Sequence, residues 1–79
     1  MKDPILYVEW EDARGVHQEW TDLEELKAQD TCRCHSVGRL LRENKKEIVL
    51  VPHWYDDPAS GCGEMAIPKG AIKKRKKLR

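Results

Sequence analysis

A chain of 79 residues, 37% charged and 39% hydrophobic, with three Trp, two Tyr and no Phe, is long enough for one domain and too apolar and patterned to be disordered. It holds no run of roughly 18 apolar residues that would span a bilayer, and Met1-Lys2-Asp3-Pro4 lacks the apolar stretch of an export signal, so a cytosolic setting is expected. The net charge of +1 hides two opposite halves: residues 1–30 carry nine acidic against three basic residues, a net of −6, and residues 31–79 carry twelve basic against five acidic, a net of +7.

Ile5 to Trp10 alternates, with Leu6, Val8 and Trp10 on one side and Tyr7 and Glu9 on the other, which predicts a first strand with the apolar set turned inward. Glu11 to Gln18 contains Gly15 and no sustained period, so a loop is expected. Thr21-Asp22-Leu23-Glu24 has the form of a capping box, with the Thr21 hydroxyl set against the Glu24 amide. It predicts a short helix from Asp22 to Ala28, with Trp20 packing on Leu23 or Leu26 to close one end of the fold.

Cys32 to Glu43 predicts a long strand, and Gly38 within it suits a bend or bulge. Asn44-Lys45-Lys46 makes a polar turn into a partner strand from Glu47 to His53, with Ile48 and Leu50 on one face and Val49 and Val51 on the other. Asp56 to Gly63 is rich in turn formers and predicts a loop. Met65 and Ile67 should point inward from a short fourth strand. Pro68-Lys69-Gly70 then predicts a single 3₁₀ turn before Ile72 to Leu78 closes the sheet. The expected fold is thus mainly β: one small five-stranded barrel over residues 1–79, a short helix between its first two strands, and a basic final strand and tail over 69–79.

Four groups of residues are candidates for function. Cys32, Cys34, His53 and Cys62 supply sulfur and nitrogen of the kind that binds zinc. Their spacing argues against a metal: Cys-x-Cys on a strand is not the two-residue gap of a zinc knuckle, and His35 faces away from both thiols. An odd number of cysteines without an export signal points to reduced thiols. The second group is the basic run. Seven of the last eleven residues are Lys or Arg, and strand alternation would set Lys73, Arg75, Lys77 and Arg79 on one face, a cationic stripe suited to phosphates. The same lysines equally serve to blunt an exposed edge strand, or to lie against the acidic first half.

Trp54 and Tyr55 beside Asp56 and Asp57 form the third group, an aromatic pair next to two carboxylates that suits a proline-rich or basic partner. Trp54 alternatively caps the mouth of the barrel. The fourth group, Asp12, His17, Asp56 and Asp57, contains acids and bases but no nucleophile elbow, phosphate-cradling loop or paired-carboxylate spacing. A binding role without catalysis, and without a cofactor, is expected.

Five strands, a long bent second strand paired to the third and a one-turn link before the last resemble the SH3-like barrels, including the Sm-like variety. More narrowly, Val8-Glu9-Trp10-Glu11-Asp12-Ala13, Ser36-Val37-Gly38, Ile48-Val49-Leu50-Val51-Pro52-His53 and Ile67-Pro68-Lys69-Gly70-Ala71-Ile72 resemble a set of short uncharacterised proteins encoded in phage and prophage genomes. The resemblance spans most of residues 5–78 and carries no catalytic residue. It implies an accessory protein of the bacterial cytoplasm; the opposite charge of the two halves suits contact with a host protein or head-to-tail association, the basic tail of one copy meeting the acidic first segment of another, and the basic run makes nucleic acid the alternative partner.

Overall fold

The computed structural model describes residues 3–14 and 18–79; Gly15, Val16 and His17 lie outside them, and with them part of the expected first loop. The fold is mainly β with one short helix. In chain order it runs β1 (Ile5–Asp12), α1 (Leu23–Lys27), β2 (Cys32–Glu43), β3 (Glu47–Val51), β4 (His53–Asp56), β5 (Ala59–Cys62), β6 (Met65–Pro68), a 3₁₀ turn (Lys69–Ala71) and β7 (Ile72–Lys77). Five strands form one antiparallel sheet in the order β6-β3-β2-β1-β7, and β4 and β5 form a separate two-stranded ribbon.

Alternation builds the core. Leu6, Val8 and Trp10 from β1, Ile48 and Leu50 from β3 and Ile67 from β6 are buried together, with Cys34, Leu40 and Ile72 packed against them. Val8, Ile48 and Ile67 are completely buried, each contributing about 1.5–3 kcal/mol by leaving water. The Trp10 indole N–H, the one polar group such a side chain brings inside, donates to Ser36 Oγ at 3.1 Å. Met65 does not join the core: it lies at the start of an edge strand and is 43% exposed.

Four further expectations need correction. The sheet is open rather than closed. Among the described residues no ladder joins its edges β6 and β7, because the four residues of β6 pair with β3 and β7 pairs along β1. The third strand stops at Val51 because Pro52 has no N–H to continue a ladder, and the chain re-enters as β4 at His53. The expected loop after Asp56 is instead the turn and return strand of that ribbon. In β2 the register slips between Leu40 and Arg42 rather than at Gly38. Gly38 is needed for close approach: a Cβ there would meet Val51 O at 3.0 Å and Leu50 Cβ at 3.1 Å.

The helix departs most from expectation. Its cap is Asp22, whose Oδ1 accepts from the Glu24 amide at 3.2 Å, while the Thr21 hydroxyl turns back to donate to the Glu19 carbonyl at 3.0 Å. Asp22, Glu24 and Glu25 at its start and Lys27 at its end suit the helix dipole. No residue of α1 is buried, and Trp20 is fully exposed instead of closing the fold. Residues 18–31 of the connection between β1 and β2 are therefore a largely exposed arm. The molecule measures 52 × 24 × 20 Å with a radius of gyration of 16.2 Å, against about 12 Å for a compact chain of this length.

Candidate binding surfaces

The β4–β5 ribbon folds back over Val51. Trp54 pairs with Gly61, and a Cβ on Gly61 would lie 2.9 Å from Val51 Cγ2 and 3.0 Å from the His53 carbonyl, so only glycine lets the ribbon seat this closely. Trp54 is half-buried there, outside the main core, with the Arg39 guanidinium 5.8 Å from its ring centroid. Asp3 holds that guanidinium, accepting from Arg39 Nε at 2.9 Å and from Nη2 at 2.8 Å. Trp54 thus stacks on the outer side of the sheet instead of capping an open mouth. A hollow of about 240 Å³ opens beside it, lined by Arg39, Leu41, Val51, Trp54 and Tyr55. Tyr55 is 61% exposed, Leu41 is 49% exposed, and Asp56 and Asp57 stand in solvent at the ribbon's turn. The hollow is smaller than a typical small-molecule pocket of roughly 300–1,000 Å³, a size that admits a side chain from a partner.

The basic strand β7 lies on one edge of the sheet, beside the acidic strand β1. A register slip between Glu9 and Trp10 divides its cations. Arg75 and Lys77 lie opposite Val8 and Leu6, Lys74 and Lys76 lie opposite Glu9 and Tyr7, and Lys73 falls at the slip. Arg75 and Lys77 therefore share one face, as strand alternation predicts for the stripe, and the slip interrupts that alternation before Lys73. Arg75 is also engaged, donating from Nη1 and Nη2 to the two Glu43 oxygens at 3.0 and 3.1 Å, while Lys69 Nζ reaches the same carboxylate at 2.8 Å. Hydrogen bonds from Arg75, then Lys69, lower the Glu43 pKa to about 2, so this ion cluster ties the end of β2 to β7 and to the turn after β6.

A second polar cluster covers the outer face of β1 and β2, and only the strand register could have revealed it. Tyr7 Oη donates to Glu9 Oε2 at 2.8 Å and lies 2.7 Å from His35 Nδ1, with the two rings stacked 6.0 Å apart. Arg33 donates to Glu9 Oε1 at 3.1 Å and to Glu11 Oε1 at 2.8 Å, and Thr31 donates to Glu11 Oε2 at 3.0 Å. The Tyr7 hydrogen bond depresses the Glu9 pKa and the Arg33 hydrogen bond depresses that of Glu11. Both carboxylates are thereby held charged and partnered, an arrangement that braces the β1–β2 pair.

Cys32 and Cys34 share a face as their spacing requires, with their Sγ atoms 3.9 Å apart. Burial raises the Cys34 pKa, which keeps it as thiol rather than as the thiolate a metal or electrophile needs. His53 and Cys62 pair across the separate ribbon. Among the described residues no three His, Cys, Asp or Glu side chains come together to hold a metal ion, and no helix is long and apolar enough to cross a membrane. Compared with protein-family models, with curated proteins and with solved structures, the chain matches none.

Proposed function

We propose that the chain is a non-catalytic binding module on an SH3-like scaffold, with the β4–β5 ribbon as its docking surface. The strand order β6-β3-β2-β1-β7 and the single 3₁₀ turn between β6 and β7 support the SH3-like reading. One observation carries the docking site: Trp54 is half-buried with the Arg39 guanidinium 5.8 Å from its ring centroid, while its neighbour Tyr55 stays exposed beside an apolar hollow and the exposed carboxylates of Asp56 and Asp57. Rigid aromatics next to negative charge suit a protein segment rich in proline or carrying Lys and Arg. The resemblance to phage and prophage proteins supports an accessory role in a bacterial cytoplasm, with a host protein as the partner.

The test is a pull-down from nuclease-treated bacterial lysate, in parallel with Tyr55→Ala and with Asp56→Lys/Asp57→Lys. Capture of the same protein by the parent chain and its loss in both variants is expected. Capture indifferent to both variants would remove the ribbon as the site.

A second reading, nucleic-acid binding, rests on the register. The Ile5 amide donates to the Arg79 carbonyl, Ile5 pairs with Arg39, and Arg39 stacks on Trp54. The end of the basic strand and the aromatic ribbon therefore share one end of the sheet, with β7 and β2 about 10 Å apart as two strand spacings. Cations next to an aromatic suit a single strand. Binding of this kind falls steeply with salt, and Lys73→Glu, Lys77→Glu and Arg79→Glu together should abolish it; oligonucleotide affinity that ignores salt and these changes would exclude it.

A further inference from the structure

The arm leaves two large apolar residues exposed and a third, Leu26, only half-buried among the described residues. Trp20 is fully exposed, Leu23 is 71% exposed, and with Leu26 they line a hollow of about 240 Å³. A five-residue helix falls well short of the roughly 12–15 residues an isolated helix needs to persist in water. Residues 18–30 also carry five acids, Glu19, Asp22, Glu24, Glu25 and Asp30, against Lys27 alone.

The complement of this surface lies on the same molecule, at the far end. Leu78 is 50% exposed just past β7, its amide donating to the Ile5 carbonyl. It is embedded in Lys76-Lys77-Leu78-Arg79, and among the described residues none of these three cations is ion-paired. An apolar side chain set among cations matches an apolar hollow set among acids in both respects. The two lie at opposite ends of β1 in this structure. Leu78 lies beside Ile5 and the arm departs after Asp12, so the length of β1, about 24 Å at the rise of a strand, separates them.

We infer that the arm of one copy receives the Lys76–Arg79 segment of a second copy, Leu78 entering between Trp20, Leu23 and Leu26. Two copies side by side in opposite directions make the contact twice and close as a symmetric pair. The arm is distinct from the ribbon, although the tail shares the ribbon's end of the sheet, so Trp20→Ala reports on self-association and Tyr55→Ala on partner capture.

The test is light scattering on a sizing column at about 100 μM protein, in about 50 mM and about 1 M salt, where the screening length falls to roughly 3 Å. Association at low salt that reverts to single chains at high salt is expected. Trp20→Ala and Leu78→Asp should each weaken it roughly tenfold or more, as loss of one buried apolar side chain requires. Tyr55→Ala should leave it unchanged. Glu19→Lys/Glu25→Lys and Lys76→Glu/Arg79→Glu should each be monomeric alone yet associate when mixed, because each reversed surface then meets its opposite. Single chains under every condition, association that survives both Trp20→Ala and Leu78→Asp, or a mixture that stays monomeric would overturn the proposal.

Discussion

The sheet and the arm handle apolar side chains in opposite ways. On the sheet, Leu6, Val8, Trp10, Ile48, Leu50 and Ile67 come from three strands with the register that turns each one inward, and none is more than 7% exposed. On the arm, Trp20, Leu23 and Leu26 lie near one another in sequence and line one open hollow, with Trp20 fully exposed. Burial requires side chains packed from more than one side, and among the described residues the strands of the five-stranded sheet supply that. Apolar residues outside that enclosure contribute little to the stability of the single chain, which leaves them available for contacts between chains.

Mutations should break this comparison unequally. The largest effect belongs to the core: Ile48→Ala or Ile67→Ala removes a fully buried side chain and should cost about 2–5 kcal/mol. A domain of this size has a total stability of roughly 4–12 kcal/mol, so thermal melting should show either variant largely unfolded or melting on the order of 10–40 °C lower. Next come the crossing points. Gly38→Ala and Gly61→Ala each push a Cβ against backbone and against a packed side chain at 2.9–3.1 Å, and urea titration should register a loss of about 1–3 kcal/mol for each. Gly38→Ala loosens the sheet, whereas Gly61→Ala should also shift Trp54 fluorescence by lifting the ribbon from Val51.

A smaller, pH-dependent effect comes from the Glu43 cluster. The Glu43 pKa is depressed in the folded chain from an ordinary 4.5 to about 2. Its contribution is therefore present in full above about pH 4.5 and is lost as pH falls from there through about 2. Glu43→Gln should lower the melting temperature by a few degrees near neutrality and flatten the acid limb of the stability curve over that window. A variant whose acid limb overlays that of the parent would show that the cluster is not coupled to folding. The smallest effect belongs to the arm. Trp20→Ala and Leu23→Ala, at exposed sites, should change the stability of the dilute single chain by no more than about 0.5 kcal/mol, and a melting shift of the size seen in the core would place the arm within the cooperative fold.

How much of this was legible from the residues depends on how local each feature is. The long strand Cys32–Glu43 and the one-turn link at Lys69–Ala71 are written in alternation and in turn residues close by in sequence. The ribbon is not, because every residue of β5 is exposed and no alternation marks it; what holds it is pairing with β4 and the seating of Gly61 on Val51, ten residues away. Proximity of Trp54, Tyr55, Asp56 and Asp57 follows from adjacency, whereas the Arg39 and Asp3 that fix Trp54 come from β2 and from the segment before β1. Arg75 looked like a free cation for the same reason, since its partner Glu43 is 32 residues distant. Trp20 misleads most: a tryptophan is usually well buried, and nothing local shows that the sheet is out of its reach.

Amide hydrogen exchange measured on the same sample as dilute chain in high salt and as concentrated chain in low salt tests the division between sheet and arm most directly. Slow exchange at Val8, Ile48 and Leu50 in both conditions, with the amides of Glu24 to Ala28 fast in the first and protected in the second, is the expected result. Arm amides as slow as those of the sheet in the dilute chain, or equally fast in both conditions, would contradict it.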